Sequence, residues 1–303
     1  MAVRIGTSGW NYPSGRGTWN GIFYPVRGQR PPKFDDLRFY AERFNTVEVN
    51  STFYGQPRAQ VSLGWAKRTP AGFEFAVKLY QKFTHPDMAR DKTAVSISDV
   101  DEFKRGIEPL AAAGKLGPLL AQFPASFKDS PEARDHVRWL LETFRDYPVT
   151  LELRHRSWSD DAPAVFDLLN DFGAAWTQID EPKFRFSIRQ DMMPNVKTFY
   201  YLRLHGRNAE EWWEHERSED RYNYLYSEAE LKPFARVLQT ARAQVKKLYA
   251  YMNNHFAAQA VADAAVLRYL LDEPVTEPMP AELVERYPML EGKVVTSPPS
   301  RLL

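Results

Sequence analysis

The chain has 303 residues, 44% hydrophobic and 26% charged, with 40 Lys and Arg against 39 Asp and Glu and no cysteine. These values fit a chain with a sizeable buried core. They exclude a global basic field for nucleic acid or anionic membrane, and also disulfides, thiolate metal sites and a cysteine nucleophile.

The first residues, M-A-V-R-I-G-T-S-G-W, enter a strand pattern at once, with no basic n-region or apolar h-region. No later run approaches ~18 consecutive apolar residues, so a cytoplasmic protein without a membrane span is expected. Residues 1–34 carry Arg4, Arg16, Arg27, Arg30 and Lys33 and no acid, which suggests a basic rim. Eight strand-like segments follow in order: Val3–Gly9, Thr46–Asn50, Phe73–Lys78, Leu119–Phe123, Val149–Arg154, Ala175–Asp180, Phe199–His205 and Leu248–Asn253.

Between several of them lies helical spacing: Leu37, Tyr40, Ala41, Phe44; Val137, Leu140, Leu141, Phe144; Val165, Leu168, Leu169, Phe172; and Leu231, Phe234, Ala235, Leu238. Ser130-Pro131 reads as an N-cap with Pro at the first helical position, Ser227-x-x-Glu230 as a capping box, and Gly173 as a helix-ending glycine. Pro109 and Pro233 fall inside helical patterns, which predicts a late start or a kink. The connections 181–198 and 206–226 are long enough to be functional lids or disordered segments.

Eight alternations of strand and helix predict a single (β/α)8 barrel of the TIM type, with an open doubly wound sheet as the alternative. Against that alternative, Gly6-Thr7-Ser8-Gly9 is too short for a dinucleotide-binding glycine fingerprint. The expected organisation is a barrel domain over residues 1–271 and a Pro-rich tail, 272–303, packed on it or extending from it.

The barrel strands should be nearly all apolar, yet several alternate. In V-T-L-E-L-R from Val149, Glu152 and Arg154 share a face, because successive strand side chains leave on opposite sides. The same reading turns Thr46, Glu48 and Asn50 inward, then Glu74 and Lys78, then Tyr201, Arg203 and His205, then Tyr249, Tyr251 and Asn253. Gln122, Gln178 and Asp180 complete the set. Most of these lie near the C-terminal strand ends, where barrels build their sites. Trp10, Tyr54 and Trp158 lie just past strand ends and are expected as aromatic walls. The plainer readings are Glu152–Arg154 and Glu48–Lys78 as structural ion pairs, Tyr249 and Tyr251 as core with satisfied hydroxyls, and Trp212 and Trp213 as loop packing.

Glu48, Glu152, Asp180 and His205 resemble the ligands of a metal-dependent isomerase, but Lys78, Arg154 and Arg203 in one small cavity would repel a divalent ion, so a metal-free, cofactor-free site ranks first. The same cations suit an anionic group, and Gly206 or Asn254-His255, after the last two strands, could hold phosphate. Glu48 and Glu152 are the expected proton donor and acceptor, with His205 as the alternative. Substrate contacts are expected from Trp10, Asn50, Lys78, Gln122, Arg154, Trp158, Asp180, Arg203 and Asn253.

The stretches I-G-T-S-G-W from Ile5, F-N-T-V-E-V-N-S-T-F-Y from Phe44, F-A-V-K from Phe75, L-E-L-R-H-R-S-W from Leu151, Y-L-R-L-H-G from Tyr201 and Y-M-N-N-H from Tyr251 together resemble the YecE-like family (domain of unknown function 72). The resemblance spans roughly residues 3 to 271 and leaves the Pro-rich tail outside. It implies a TIM-type barrel and no established reaction. The positions it marks are Trp10, Glu48, Asn50, Lys78, Glu152, Arg154, Trp158, Arg203, His205 and Asn253; Met252 stands where an aromatic is expected. The leading expectation is an acid-base enzyme acting on a small anionic or sugar-like metabolite. The rivals are a barrel that processes a phosphodiester of nucleic acid and a non-catalytic metabolite-binding regulator; oligomeric state stays open.

Overall fold

The computed structural model describes residues 2–85 and 94–297. The chain is an α/β protein whose strands are all parallel: β1 (Ala2–Thr7), β2 (Thr46–Val49), β3 (Glu74–Lys78), β4 (Leu116–Gln122), β5 (Val149–Glu152), β6 (Ala175–Trp176), β7 (Gln178–Asp180), β8 (Phe199–Leu204) and β9 (Lys247–Met252). They pair in two sheets, in the orders β1-β9-β8-β7 and β2-β3-β4-β5-β6. Every strand expected from the sequence is present; the sixth is interrupted at Thr177, where the chain passes from one sheet to the other.

At the other junction, β1 and β2 touch through one bridge between Ser8 and Glu48 and a 2.8 Å hydrogen bond from the Gly9 N–H to the Glu48 carbonyl. Gly6 makes that approach possible: a Cβ there would sit 2.3 Å from the Thr46 carbonyl oxygen.

Side chains sort by strand parity into two apolar regions. Tyr200, Leu202 and Leu204 of β8 join the main core under the helices, while a smaller cluster, Ala76, Leu120, Ala175, Phe199, Tyr201, Tyr249 and Tyr251, fills the space between the sheets. Below that cluster, Glu74 accepts from Tyr249 and Lys247 and pairs with Arg4, closing the N-terminal side.

The expected helices form at Asp36–Arg43, Pro131–Thr143, Ala162–Asn170 and Glu228–Arg242, joined by Ala59–Arg68, Ile97–Ala112 and Gln259–Leu270. Ser130 caps the second, Ser227 and Glu230 make the capping box, and Gly173 has φ +64°. Neither proline delays its helix. Pro109 sits in the last turn of Ile97–Ala112 and Pro233 in the second turn of Glu228–Arg242, and each removes one N–H from its helix without ending it.

Beyond Asp272 the chain forms a short helix, Ala281–Arg286, and buries Val275, Met279, Leu283 and Leu290 in the main core. The Tyr287 hydroxyl donates to the Ala257 carbonyl at 2.5 Å. The last part of the expected tail, 298–303, lies outside the described residues. The long connections are held down: Ile188 N–H bonds the Arg154 carbonyl at 2.8 Å, and Arg16 reaches Asp220 at 2.7 Å. The basic rim is therefore partly neutralised, since Arg4 and Arg30 also have carboxylate partners.

Candidate functional site

Strand parity turns Glu48 of β2, Glu152 of β5 and Arg203 of β8 toward the space between the sheets, and all three are buried. Arg203 joins the two carboxylates. Its Nε donates to Glu48 Oε2 at 2.9 Å, Nη2 to Glu48 Oε1 at 2.7 Å and Nη1 to Glu152 Oε2 at 2.5 Å. Glu48 also accepts from the Ser8 hydroxyl and the Tyr201 hydroxyl, each at 2.7 Å. Buried charges survive only when so fully paired. Burial opposes ionisation of Glu152, but Arg203 and Arg154 outweigh it and hold the carboxyl well below its ordinary range.

Arg154 extends this lattice, with Nε 2.7 Å from Glu152 Oε1 and Nη1 3.2 Å from Glu181 Oε2. Glu181, buried beside Glu152, is pushed up, chiefly by desolvation. His205 has Nε2 3.4 Å from Glu152 Oε1 and Nδ1 2.8 Å from Asn253 Nδ2. Burial pushes it down to about 3, so the ring is neutral at pH 7. The same Nε2 lies 3.3 Å from Arg154 Nη2, so the ring sits among Glu152, Arg154 and Asn253. Trp212 from the second long connection packs edge-on against this imidazole.

Above the lattice opens a cavity of about 470 Å³ at the C-terminal strand ends. Arg203, Lys78 and Gln122 lie at its base; Trp10, Tyr12, Tyr54 and Tyr222 supply aromatic surface; Asn50, Asn253 and His255 add polar groups. Lys78 Nζ is 2.5 Å from Gln122 Oε1 and 4.0 Å from the centre of the Phe53 ring. Desolvation first, then the nearby Arg203 and Arg154 charges, push this amine down to about 7, against the weaker pull of Glu152 and Glu48. His255 stacks on Tyr12 with ring centres 4.0 Å apart, and burial pushes it down to about 3. Among the described residues, the buried atoms Asn50 Oδ1 and His255 Nδ1 have no hydrogen-bond partner.

Of the residues singled out in the sequence, Trp10, Asn50, Tyr54, Lys78, Gln122, Arg203, Asn253 and His255 line this cavity. Glu48, Glu152, Arg154 and His205 form the paired lattice beneath and beside it. Trp158 does not belong. It is fully buried, stacks on Phe127 and donates Nε1 to the Phe127 carbonyl at 2.9 Å, because the turn Ser157–Asp160 carries it into the main core. Asp180 is likewise away from the cavity, held by Arg207 at 2.8 Å and by the Tyr226 hydroxyl at 2.7 Å, where it anchors the second long connection.

The expected cationic cluster changes character, because Glu48 and Glu152 take up Arg203 and Arg154 and leave Lys78 without an ion pair among the described residues. Glu48–Lys78 is thus not a pair, whereas Glu152–Arg154 is. The phosphate position after the last strands is also closed: the Gly206 N–H donates to the Tyr226 hydroxyl, and the Ala257 N–H to the Gly17 carbonyl. The helix that follows begins only at Gln259, after Ala257 and Ala258 at positive φ. No three His, Asp or Glu side chains among the described residues converge to hold a metal ion.

Sequence reading missed Ser8, Tyr12, Tyr222 and Glu181 as members of the site. Tyr12 and Tyr222 lie in aperiodic connections and carry no local signal; Glu181 directly follows Asp180 and is one step from being found.

The sequence model of the family described as "Protein of unknown function DUF72" matches residues 4–285, so the resemblance extends into the tail instead of stopping at 271. The chain is 28% identical to the UPF0759 protein YunF of Bacillus subtilis over 285 residues, covering 89% of this chain and 95% of that protein. Over 91 residues, 30% of this chain and 31% of the relative, it is 34% identical to the UPF0759 protein YecE of Escherichia coli. A DUF72 family protein of Thermotoga maritima superposes with TM-score 0.75 at 32% identity, covering 90% of this chain and all of that one. One from Enterococcus faecalis superposes with TM-score 0.77 at 21% identity, covering 89% of this chain and 95% of the other. With the family matched over nearly its whole length, the chain belongs to the DUF72 family of proteins of unknown function.

Proposed function

We propose that this protein is an enzyme that binds a small, hydroxyl-rich, sugar-like molecule in the cavity and moves a proton on it with Lys78 as base. The observation that carries this is a cavity walled by Trp10, Tyr12, Tyr54 and Tyr222 and edged by Asn50, Gln122 and Asn253, whose one lysine is pushed down to about 7. A concave pocket with aromatic walls and a few polar anchors is the usual form of a ligand site, and an amine with its pKa near 7 is matched to proton transfer. Aromatic faces with amide side chains suit a polyhydroxylated ligand better than an anion here, since both site arginines are already neutralised.

In this reading Glu48, Glu152 and His205 do not carry the proton themselves. Saturated by Arg203 and Arg154, the two carboxylates set the field and position around Lys78. The chain is taken as one (β/α)8 barrel domain over residues 1–271, closed at the Ser8–Glu48 bridge, with a tail from 272 onward whose described part, 272–297, packs on it. A phosphodiester substrate finds less support, because Arg4, Arg16 and Arg30 already face carboxylates.

A thermal-shift panel of neutral sugars, polyols and sugar phosphates tests the assignment. Neutral sugars should raise the Tm of wild type, and Asn50→Ala should lose that rise. Stabilisation by phosphorylated ligands alone, retained by Asn50→Ala, overturns it.

A further inference from the structure

We propose that Lys78 is a nucleophile that forms a Schiff base with its substrate, which makes the substrate an open-chain aldehyde or ketone of the sugar type. This rests on the reading of the cavity as a sugar site and replaces the role of Lys78 as base with a covalent one. A lysine that serves as a structural cation is normally met by a carboxylate, and two lie nearby; yet Glu48 and Glu152 are committed to Arg203 and Arg154. Lys78 instead meets a neutral amide oxygen and an aromatic face while lining the cavity. Burial beside another cation is the arrangement that leaves an amine with its lone pair free at neutral pH. The direction of its titration agrees.

The chemistry balances without a further reagent. The Nζ lone pair attacks the carbonyl carbon and forms the C–N bond; the two amine protons leave with the carbonyl oxygen as water, and the C=N bond remains. One proton taken up by the nitrogen gives the iminium. That iminium draws electrons from the adjacent carbon, whose C–H or next C–C bond is then weakened, so the reaction class is isomerisation or carbon–carbon cleavage. Gln122, holding the amine from one side, is the positioning residue.

The test uses the full chain with dihydroxyacetone and sodium cyanoborohydride at pH 7, followed by peptide mass mapping. The reductant delivers hydride to the iminium carbon and freezes the adduct as a secondary amine. The expected result is an adduct at Lys78 formed at least tenfold faster than at the exposed Lys67 and Lys246, with a rate that rises through pH 7. Because the reading is made within wild type, it does not depend on a variant that folds. Labelling of exposed lysines at the same or a greater rate overturns the proposal. Xylitol, which lacks a carbonyl, separates the two readings in a parallel melt. A xylitol-induced rise in Tm with no adduct at Lys78 overturns the covalent step and leaves the sugar site standing. Absence of both overturns both.

Discussion

Arg203 meets Glu48 side-on, with Nε 2.9 Å from one carboxylate oxygen and Nη2 2.7 Å from the other, and the remaining end nitrogen spans to Glu152 at 2.5 Å. Removing the guanidinium leaves two buried carboxylates facing each other. Arg203→Met should therefore cost about 3–5 kcal/mol in urea unfolding. Adding Glu48→Gln and Glu152→Gln should restore part of the loss, because the residues act as one network. Arg203→Lys should also be strongly destabilised, since an ammonium cannot reproduce the two-pronged contact; a variant within about 0.5 kcal/mol of wild type would sink this account.

Acid should loosen the fold in two stages. His205 and His255 are pushed down to about 3 in the fold, against about 6.5 in an unfolded chain. Below pH 6.5 the unfolded chain takes up protons that the folded rings refuse, so stability falls as pH drops from 6.5 toward 3. The slope is at most about 1.4 kcal/mol per pH unit for each ring. Glu152, held below its ordinary range, stabilises the fold above about pH 4.3 and loses that contribution as pH falls through its lowered folded value. Unfolding free energies at pH 7, 5.5 and 4.5 check this. His255→Phe, which keeps a ring against Tyr12, should show a shallower slope; an identical slope would count against a neutral buried His255.

Lys78 works in the opposite sense to a structural residue. Its folded pKa of about 7 lies below the unfolded value of about 10.4. The unfolded chain therefore holds a proton that the fold releases, and stability drops as pH falls from 10.4 to 7. Lys78→Met should melt at a higher temperature than wild type at pH 7.5, with the advantage shrinking by pH 10, while the reductive adduct disappears. A lower Tm at pH 7.5 would assign Lys78 to structure.

Gly6 guards the junction of the two sheets. A methyl group there would press on the Thr46 carbonyl at 2.3 Å, and the backbone on both sides is locked in strands. Gly6→Ala should cost about 1–3 kcal/mol as overpacking. Gly28→Ala, with nothing within 4 Å, should be near neutral. Equal melting temperatures for the two variants would refute the close approach.

Much of the scaffold could be read in the chain because its causes are local. Strand side chains alternate by backbone geometry, so V-E-V around Glu48, L-E-L around Glu152 and L-R-L around Arg203 were enough to put three charges on one face. Ser130, Ser227 and Glu230 marked helix starts because their side chains satisfy N–H groups only a few residues away.

What each charge does depended on partners far along the chain. Arg203 is 155 residues from Glu48 and 51 from Glu152, and only their meeting in a dry interior turned two presumed catalytic acids into one neutralised lattice and left Lys78 unpaired. The same holds for Trp158, which local spacing put at a wall and packing put in the core, and for Tyr12, Tyr222 and His255, brought together from aperiodic connections. Backbone geometry sets the direction a side chain leaves, and a sequence carries that openly. Desolvation and long-range distance set its partner and its protonation, and these exist only once the chain has closed on itself.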